Sequence, residues 1–388
     1  MSRALFVVLA EKGHVHPFIG PAQELARRGH DVGFYAPCDL REPLGRAGFA
    51  AERVFGGEGP RPPDSNRGQA FAELVGDRAR LRAWISAMLV DTVPAEVERL
   101  AAVVRAFRPD VIVADPMAYA APIVAARTGV PWAGVSTSLN AVVPEDWTSE
   151  LITTTRALPR AELFAAYGLT RVTFRVSDWL SPYLNVAFTT SALIGRDVPG
   201  VLLAGASLPL AARGDEGQAI DLDERPLVLM SLGSQIYHQP RMFEVVAEAS
   251  RGQPWQLVLA MGELAHTWAA PQDVRVVAYA PQLALLPRTR VLVTHGGANS
   301  VMEGLAHGVP MLVSPICNDQ PHNARFIAAA GAGLVCDLAV AGVDEVRARL
   351  CALYEDSSAR AIAGRIAHSY RAAGGPSAVA DAVAGLCA

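Results

Sequence analysis

Along most of the chain, short continuous apolar runs alternate with longer stretches whose apolar positions recur at helical spacing. Leu5–Leu9, Val32–Ala36, Val111–Ala114, Trp132–Val135 and Val186–Thr189 read as strands, each a run of apolar residues bounded by turn-forming ones. Between the first two, Pro17–Arg28 reads as a helix with proline near its start and Gly29 closing it. The polar stretch 213–225 interrupts this rhythm, which then restarts. Strands are predicted at Leu227–Leu232, Gln256–Met261, Val274–Ala278, Val291–Thr294, Met311–Ser314 and Leu334–Cys336, with helices between them and three more helical stretches at the end. Strands that are apolar on both faces belong to parallel sheets covered on both sides by helices. The expected fold is α/β, two doubly wound, Rossmann-like parallel-sheet domains facing across a cleft. The expected division is 1–212, a linker 213–225, a second domain 226–370, and a final helix in 371–388 that could cross back to the first domain. In such sheets ligands sit at the carboxyl ends of the strands.

Length and composition narrow this. A chain of 388 residues suits two cores, and 51% hydrophobic against 19% charged residues argues against global disorder. The net charge is −4 with both signs interspersed and no basic stripe, so nucleic acid is not the expected partner. Lys12 is the single lysine. Five scattered cysteines (Cys38, Cys317, Cys336, Cys351, Cys387) without CxxC spacing read as reduced thiols, which suggests a cytoplasmic setting. No apolar run approaches the 18 or so residues of a membrane span, and Leu5–Ala10 is too short for a signal segment.

The strand at Val291–Thr294 runs into His295-Gly-Gly-Ala-Asn-Ser300 and then into a helix ended by Gly308 and Pro310. Two glycines let backbone approach a ligand, and the free N–H groups of a helix start favour an anion. His295, Asn299 and Ser300 can add side-chain donors. Glu303 lies one turn on from Ser300, where it could accept from ribose hydroxyls. Ser300-Val-Met-Glu303 also matches a capping box, so that pair alone leaves a purely structural role open.

Tyr279-Ala-Pro-Gln282, His295-Gly-Gly-Ala-Asn-Ser-Val-Met-Glu303 and Asn318-Asp319-Gln320 together resemble the donor signature of family 1 glycosyltransferases of the GT-B fold. The likeness is strongest to the bacterial macrolide and carotenoid enzymes. It implies that Tyr279 stacks on the nucleobase, Gln282 contacts the nucleotide, and His295 touches a phosphate oxygen. It further implies that Gly297, Asn299 and Ser300 hold the diphosphate, Glu303 the ribose, and Asp319 and Gln320 the transferred sugar. Ser234 would touch a phosphate from the other side. Plant members carry Trp where this chain has Tyr279 and Ala298.

Glycosyl transfer to a hydroxyl needs a base, because an alcohol is a poor nucleophile until its proton is taken. His14, in Gly13-His-Val-His-Pro17 after the first strand, fits the family's His-x-x-Pro pattern and is the candidate base. Asp115 ends Val111–Ala114 and could orient it. His16 reads as a helix cap. The expected reaction is an inverting, metal-independent transfer of a hexose from a nucleotide sugar to a hydroxyl of a small, largely apolar natural product. UDP-glucose is the favoured co-substrate, dTDP-deoxysugars the alternative, and no other cofactor is expected. Asp221-Leu-Asp223 resembles a metal-binding Asp-x-Asp but sits in the polar linker, where a solvated turn is the simpler reading.

The acceptor side is less legible. The irregular segments 56–90 and 140–183 carry Phe71, Trp84, Met88, Trp147, Trp179 and Tyr183, which could line an apolar pocket or simply pack a core. A related epimerase, a cell-wall transferase or a non-catalytic sugar-nucleotide-binding homologue are the rival readings. Monomer and homodimer are both open. A dinucleotide oxidoreductase is disfavoured, since the first strand leads to Glu11-Lys-Gly-His14 without a GxGxxG.

Overall fold

The computed structural model describes residues 1–57, 67–217, 219–269, 271 and 273–387. The first half contributes strands β1 (Arg3–Val7), β2 (Asp31–Ala36), β3 (Val54–Gly56), β4 (Val111–Ala114), β5 (Trp132–Ser136), a short antiparallel pair β6 (Phe174–Arg175) and β7 (Asp178–Trp179), β8 (Leu184–Ala187) and β9 (Leu202–Leu203). The second half contributes β10 (Leu227–Ser231), β11 (Gln256–Ala260), β12 (Val274–Val277), β13 (Thr289–Thr294), β14 (Met311–Val313) and β15 (Gly333–Val335). They form a seven-stranded sheet, β3-β2-β1-β4-β5-β8-β9, and a six-stranded one, β12-β11-β10-β13-β14-β15, with parallel pairing throughout both.

Each sheet reverses its strand order at one place, between β1 and β4 and between β10 and β13. A crevice opens there, because the connections leave the two neighbouring strands in opposite directions. The registers place Val7 beside Ala114 and Ser231 beside Thr294, so the loops starting near residues 8, 115, 232 and 295 emerge at these two points. Burial explains why β1 carries its helix so firmly. Phe6 stacks on Phe34 at 5.2 Å and meets Phe18 edge-on at 6.1 Å, with all three rings fully buried.

The predicted strands lie within two residues of their observed ends, and the first helix differs more. The first helix runs Lys12–Arg27, five residues earlier than Pro17 suggests, and both Pro17 and Pro21 lie inside it. An internal proline frees the carbonyl four residues back. Here each freed carbonyl finds another donor: Asn299 Nδ2 bonds Gly13 O at 3.0 Å, and Ser207 Oγ bonds Pro17 O at 2.6 Å. The helix therefore tolerates both prolines. Strand β8 ends at Ala187, short of the predicted Thr189, because the chain turns back with Thr189 N on Ala187 O at 3.0 Å.

Helices Val343–Glu355, Ser357–Ala372 and Pro376–Gly385 end the chain. The last packs on the Lys12–Arg27 helix, where Arg28 pairs with Asp381 at 2.5 Å and bonds Ser377 Oγ at 2.8 Å. Among the described residues, no helix is long and apolar enough to cross a membrane.

Candidate active site

The loops at the two reversal points line one cleft of about 510 Å³ between the sheets. His14 enters it from the first turn of the Lys12–Arg27 helix, whose N-cap is Glu11. Its Nδ1 lies 2.6 Å from Asp115 Oδ2, and Asp115 is wholly buried. Asp115 Oδ1 also accepts from Met117 N at 2.9 Å, which fixes the carboxylate plane. Thr137, just past β5, donates to Asp115 Oδ2 at 3.0 Å and sits 2.9 Å from His14 Nδ1. With Nδ1 committed to Asp115, Nε2 is the free ring nitrogen, and the side chain keeps 25% exposure toward the cleft. Burial alone would lower the His14 pKa. The charge and hydrogen bond of Asp115, with Glu11 and Asp319 farther off, carry it above its ordinary value.

On the opposite wall, His295 follows β13 and Gly297 is the N-cap of the helix Ala298–Ala306. No side chain caps that helix, so the N–H groups of its first turn are left for a ligand. The neighbouring glycines are there for the histidine. A Cβ on Gly297 would lie 2.5 Å from His295 Nε2, and one on Gly233 would lie 2.9 Å from the same atom. The imidazole is held between two stretches of bare backbone. Burial depresses its pKa to about 4, so it is neutral near pH 7 and offers a hydrogen bond without a charge. Ser300 and the exposed Ser234 line the same cleft.

The Ser300–Glu303 capping box does not form. Ser300 is the third residue of the helix, and Glu303 is spent elsewhere: Oε1 takes Arg213 Nη1 at 2.5 Å and Oε2 takes Gln282 Nε2 at 2.8 Å. Arg213 also grips Asp215 through Nε and Nη2, at 2.7 and 2.8 Å. Tyr279 donates its hydroxyl to Asp215, and the Lys12 ammonium stands 4.4 Å from its ring centroid. His16 is inside the helix, not a cap, and lies 3.8 Å from Asp215. Burial, with Arg213 nearby, holds its pKa at about 4.

Past β14, Asp319 is the N-cap and Gln320 the first residue of the helix Gln320–Ala330. Gln320 Oε1 accepts from Ile316 N and Cys317 N at 2.8 and 3.0 Å, which leaves its amide NH₂ as the part able to reach a ligand. Asp319 accepts from Asn323 Nδ2 at 2.9 Å, and its enclosure raises its pKa. Asn299 belongs to the same cleft, but its amide spans to Gly13, next to the base.

All twelve expected site residues thus line one cleft or, for Asp115, back it directly. Thr137, Arg213, Asp215 and Lys12 were not expected there. Thr137 had a signal, as a hydroxyl residue just past a strand end, whereas Arg213 and Asp215 looked like solvated linker. Of the apolar pocket candidates, Phe71, Trp84 and Met88 line the cleft. Three do not. Trp147 packs on Phe326 at 4.8 Å, Trp179 is core beside Phe164 at 4.3 Å, and Tyr183 faces a separate outer hollow. Residues 58–66 of the first irregular segment lie outside the described residues. Asp221 and Asp223 are exposed and away from the cleft, with Asp223 paired to Arg225 at 2.7 Å.

Residues 214–367 match the family described as UDP-glucoronosyl and UDP-glucosyl transferase, and residues 63–179 match the erythromycin biosynthesis protein CIII-like N-terminal domain. The chain is 26% identical to the demethyllactenocin mycarosyltransferase of Streptomyces fradiae, over 100% of this chain and 87% of that protein. The glycosyltransferase of kitacinnamycin superposes with a TM-score of 0.80 at 24% identity, covering 99% and 98% of the two chains. The glycosyltransferase VinC, solved with dTDP, gives 0.70 at 19% identity, covering 99% of each. These structures share the fold, and the two sequence matches fall on opposite sides of the cleft. With the donor motifs in place, the chain is a glycosyltransferase of the GT-B fold, similar to the bacterial natural-product enzymes and carrying the UDP-glycosyltransferase match over its second half.

Proposed function

We propose that the protein transfers a hexosyl group, with inversion, from a nucleoside diphosphate sugar to a hydroxyl of a small, largely apolar natural product. The observation that carries this reading is the pairing of His14 with Asp115 at 2.6 Å directly across the cleft from an uncapped helix start. A base and an anion site on facing walls suit a single in-line displacement. His14 Nε2 takes the acceptor proton, the acceptor oxygen bonds to the anomeric carbon, and the bond to the diphosphate breaks with its electron pair leaving on the phosphate oxygen. Asp115 steadies the imidazolium formed. The first-turn N–H groups and neutral His295 meet the departing charge, work that requires no metal ion. Asp319 and the Gln320 amide would orient the sugar hydroxyls, and Tyr279 and Gln282 the nucleoside.

Phe71, Trp84 and Met88 make one end of the cleft apolar, which supports an apolar acceptor. UDP-glucose remains a candidate donor through Glu303. A dTDP-sugar is the second reading, favoured because Glu303 is already engaged by Arg213 and because VinC holds dTDP.

The test is His14→Ala assayed for both steps. Nucleotide binding should persist while transfer to a hydroxyl acceptor falls to background, with Asp115→Asn intermediate. A His14→Ala enzyme with full transfer activity would sink the mechanism. Transfer that survives EDTA, with a product anomer opposite to the donor's, is the accompanying expectation.

A further inference from the structure

The resemblance assigns Glu303 to the donor ribose, yet this carboxylate is already half of an ion pair buried to 4% exposure, with Arg213 at 7%. Arg213 is no wandering surface arginine. Its guanidinium is clamped on Asp215 by two hydrogen bonds, of 2.7 and 2.8 Å. Its backbone is set by the Glu216 carboxylate, which accepts from Arg213 N at 2.5 Å and Gly214 N at 3.1 Å. Just upstream, Gln23 of the Lys12–Arg27 helix bonds Leu210 N at 2.8 Å and Ala212 O at 2.8 Å. Gly214 is left-handed at φ +87°, pressed where a Cβ would come within 2.8 Å of Arg46 Cβ. The linker thus delivers a pre-positioned cation to the nucleoside end of the cleft before any ligand arrives.

The chemistry of Glu303 changes accordingly. A free carboxylate beside a ribose rewards both the 2′- and 3′-hydroxyls, because charged acceptors make strong hydrogen bonds. One whose charge is offset by a guanidinium, and whose other oxygen is taken by Gln282, rewards them far less. The charges around it also cancel: Lys12 and Arg213 face Asp215 and Glu303, with His16 held neutral.

We propose that Arg213 sets the choice of donor nucleoside: by engaging Glu303 it makes the site indifferent to the ribose 2′-hydroxyl, so that uridine and thymidine diphosphates are both accepted. The proposal rests on the reading of this cleft as the nucleoside diphosphate site.

Calorimetric titration of UDP and 2′-deoxy-UDP into the full-length protein tests it, since these ligands share base and diphosphate and differ by one hydroxyl. For the wild type, the two dissociation constants should agree within about fivefold. In R213Q, with Glu303 released, the ratio should swing toward UDP by about tenfold or more, the worth of a hydrogen bond to a charged acceptor. In R213Q/E303Q the swing should disappear. General loss of affinity for the diphosphate cancels in each ratio. A wild type that prefers UDP by more than about fivefold overturns the proposal without any variant, so misfolding of R213Q cannot shelter it. An unchanged ratio in folded R213Q overturns it as well. Failure of the wild type to bind either nucleotide would overturn the donor-site reading, and this inference with it.

Discussion

Asn299 Nδ2 donates across the cleft to the Gly13 carbonyl at 3.0 Å, and that carbonyl is free because Pro17, four residues on, has no N–H to offer it. The bond joins the second residue of the phosphate-side helix to the residue before the base. A proline that would ordinarily weaken a helix has become the reason the two halves of the site meet at a fixed place.

Replacing Asn299 with Ala should therefore cost catalysis more than stability. The amide is exposed, so water can satisfy Gly13 once it is gone, and unfolding free energy should fall by no more than about 1 kcal/mol. Misplacement of the helix start relative to His14 should lower kcat/KM by about 10- to 100-fold. Steady-state kinetics beside a thermal melt separate the two effects. A large drop in Tm with unchanged kcat/KM would show that the bond is merely structural.

The raised His14 pKa sets the pH profile. A general base works when unprotonated, so kcat/KM should climb as pH rises through a value above the ordinary histidine value of about 6.5. Burial opposes that shift and Asp115 drives it. Asp115→Asn should therefore slide the acid limb to lower pH while cutting the rate by about 10²- to 10⁴-fold. A limb that stays in place in Asp115→Asn would assign it to another group.

His295 and His16 push the other way on stability. Both are held near pKa 4 by burial, whereas in the unfolded chain they titrate near about 6.5. The unfolded state then binds more protons between those values. The stability these residues contribute is complete above about pH 6.5 and is lost as pH falls toward 4. His16→Asn should flatten the decline of Tm between pH 7 and 5, and an equally steep decline would count against this account.

The two parallel sheets were legible because runs such as Val111–Ala114 and Met311–Val313 are apolar on both faces, a pattern few other environments require. His14 was legible through the His-x-x-Pro pattern, and Asp115 as the residue that follows the apolar strand Val111–Ala114. The start of the first helix was not, because the partner that excuses Pro17 lies 286 residues away at the other end of the hydrogen bond from Asn299 to Gly13. Arg213 was hidden more thoroughly. Arg-Gly-Asp-Glu-Gly has the composition of a solvated loop, and only the folded arrangement, with Glu303 beneath it, buries the guanidinium. Trp147, Trp179 and Tyr183 looked like Phe71 and Trp84 in sequence, since aromatic residues carry no mark of which surface they will face.

Gly297 offers a probe confined to one neighbour. Its backbone, φ −59° and ψ 139°, suits any residue, so alanine there brings no conformational strain. The added Cβ would nevertheless meet the His295 ring at 2.5 Å and must displace it. Gly297→Ala should weaken nucleotide diphosphate binding by about tenfold, the loss of one good hydrogen bond, with Tm little changed. Unchanged binding by calorimetry would remove His295 from the phosphate site.

The acceptor wall makes the last prediction. Phe71 and Trp84 meet edge-on at 5.6 Å and both line the cleft, while Phe71 also packs with Leu74 and Ile236 of the facing half. Phe71 is 1% exposed, so its loss would disturb packing between the two halves; Trp84 is less enclosed and is the cleaner choice. Trp84→Ala removes apolar surface from the wall that an acceptor would cover, and an aromatic side chain of this size contributes about 1.5–3 kcal/mol when covered. The acceptor KM should therefore rise by about 10- to 100-fold, while the dissociation constant for nucleotide diphosphate stays within about twofold of wild type. The Ala298–Ala306 helix and the Arg213–Glu303 pair lie outside the cluster that Trp84 packs against. A variant that binds nucleotide poorly but keeps its acceptor KM would place Trp84 on the wrong substrate.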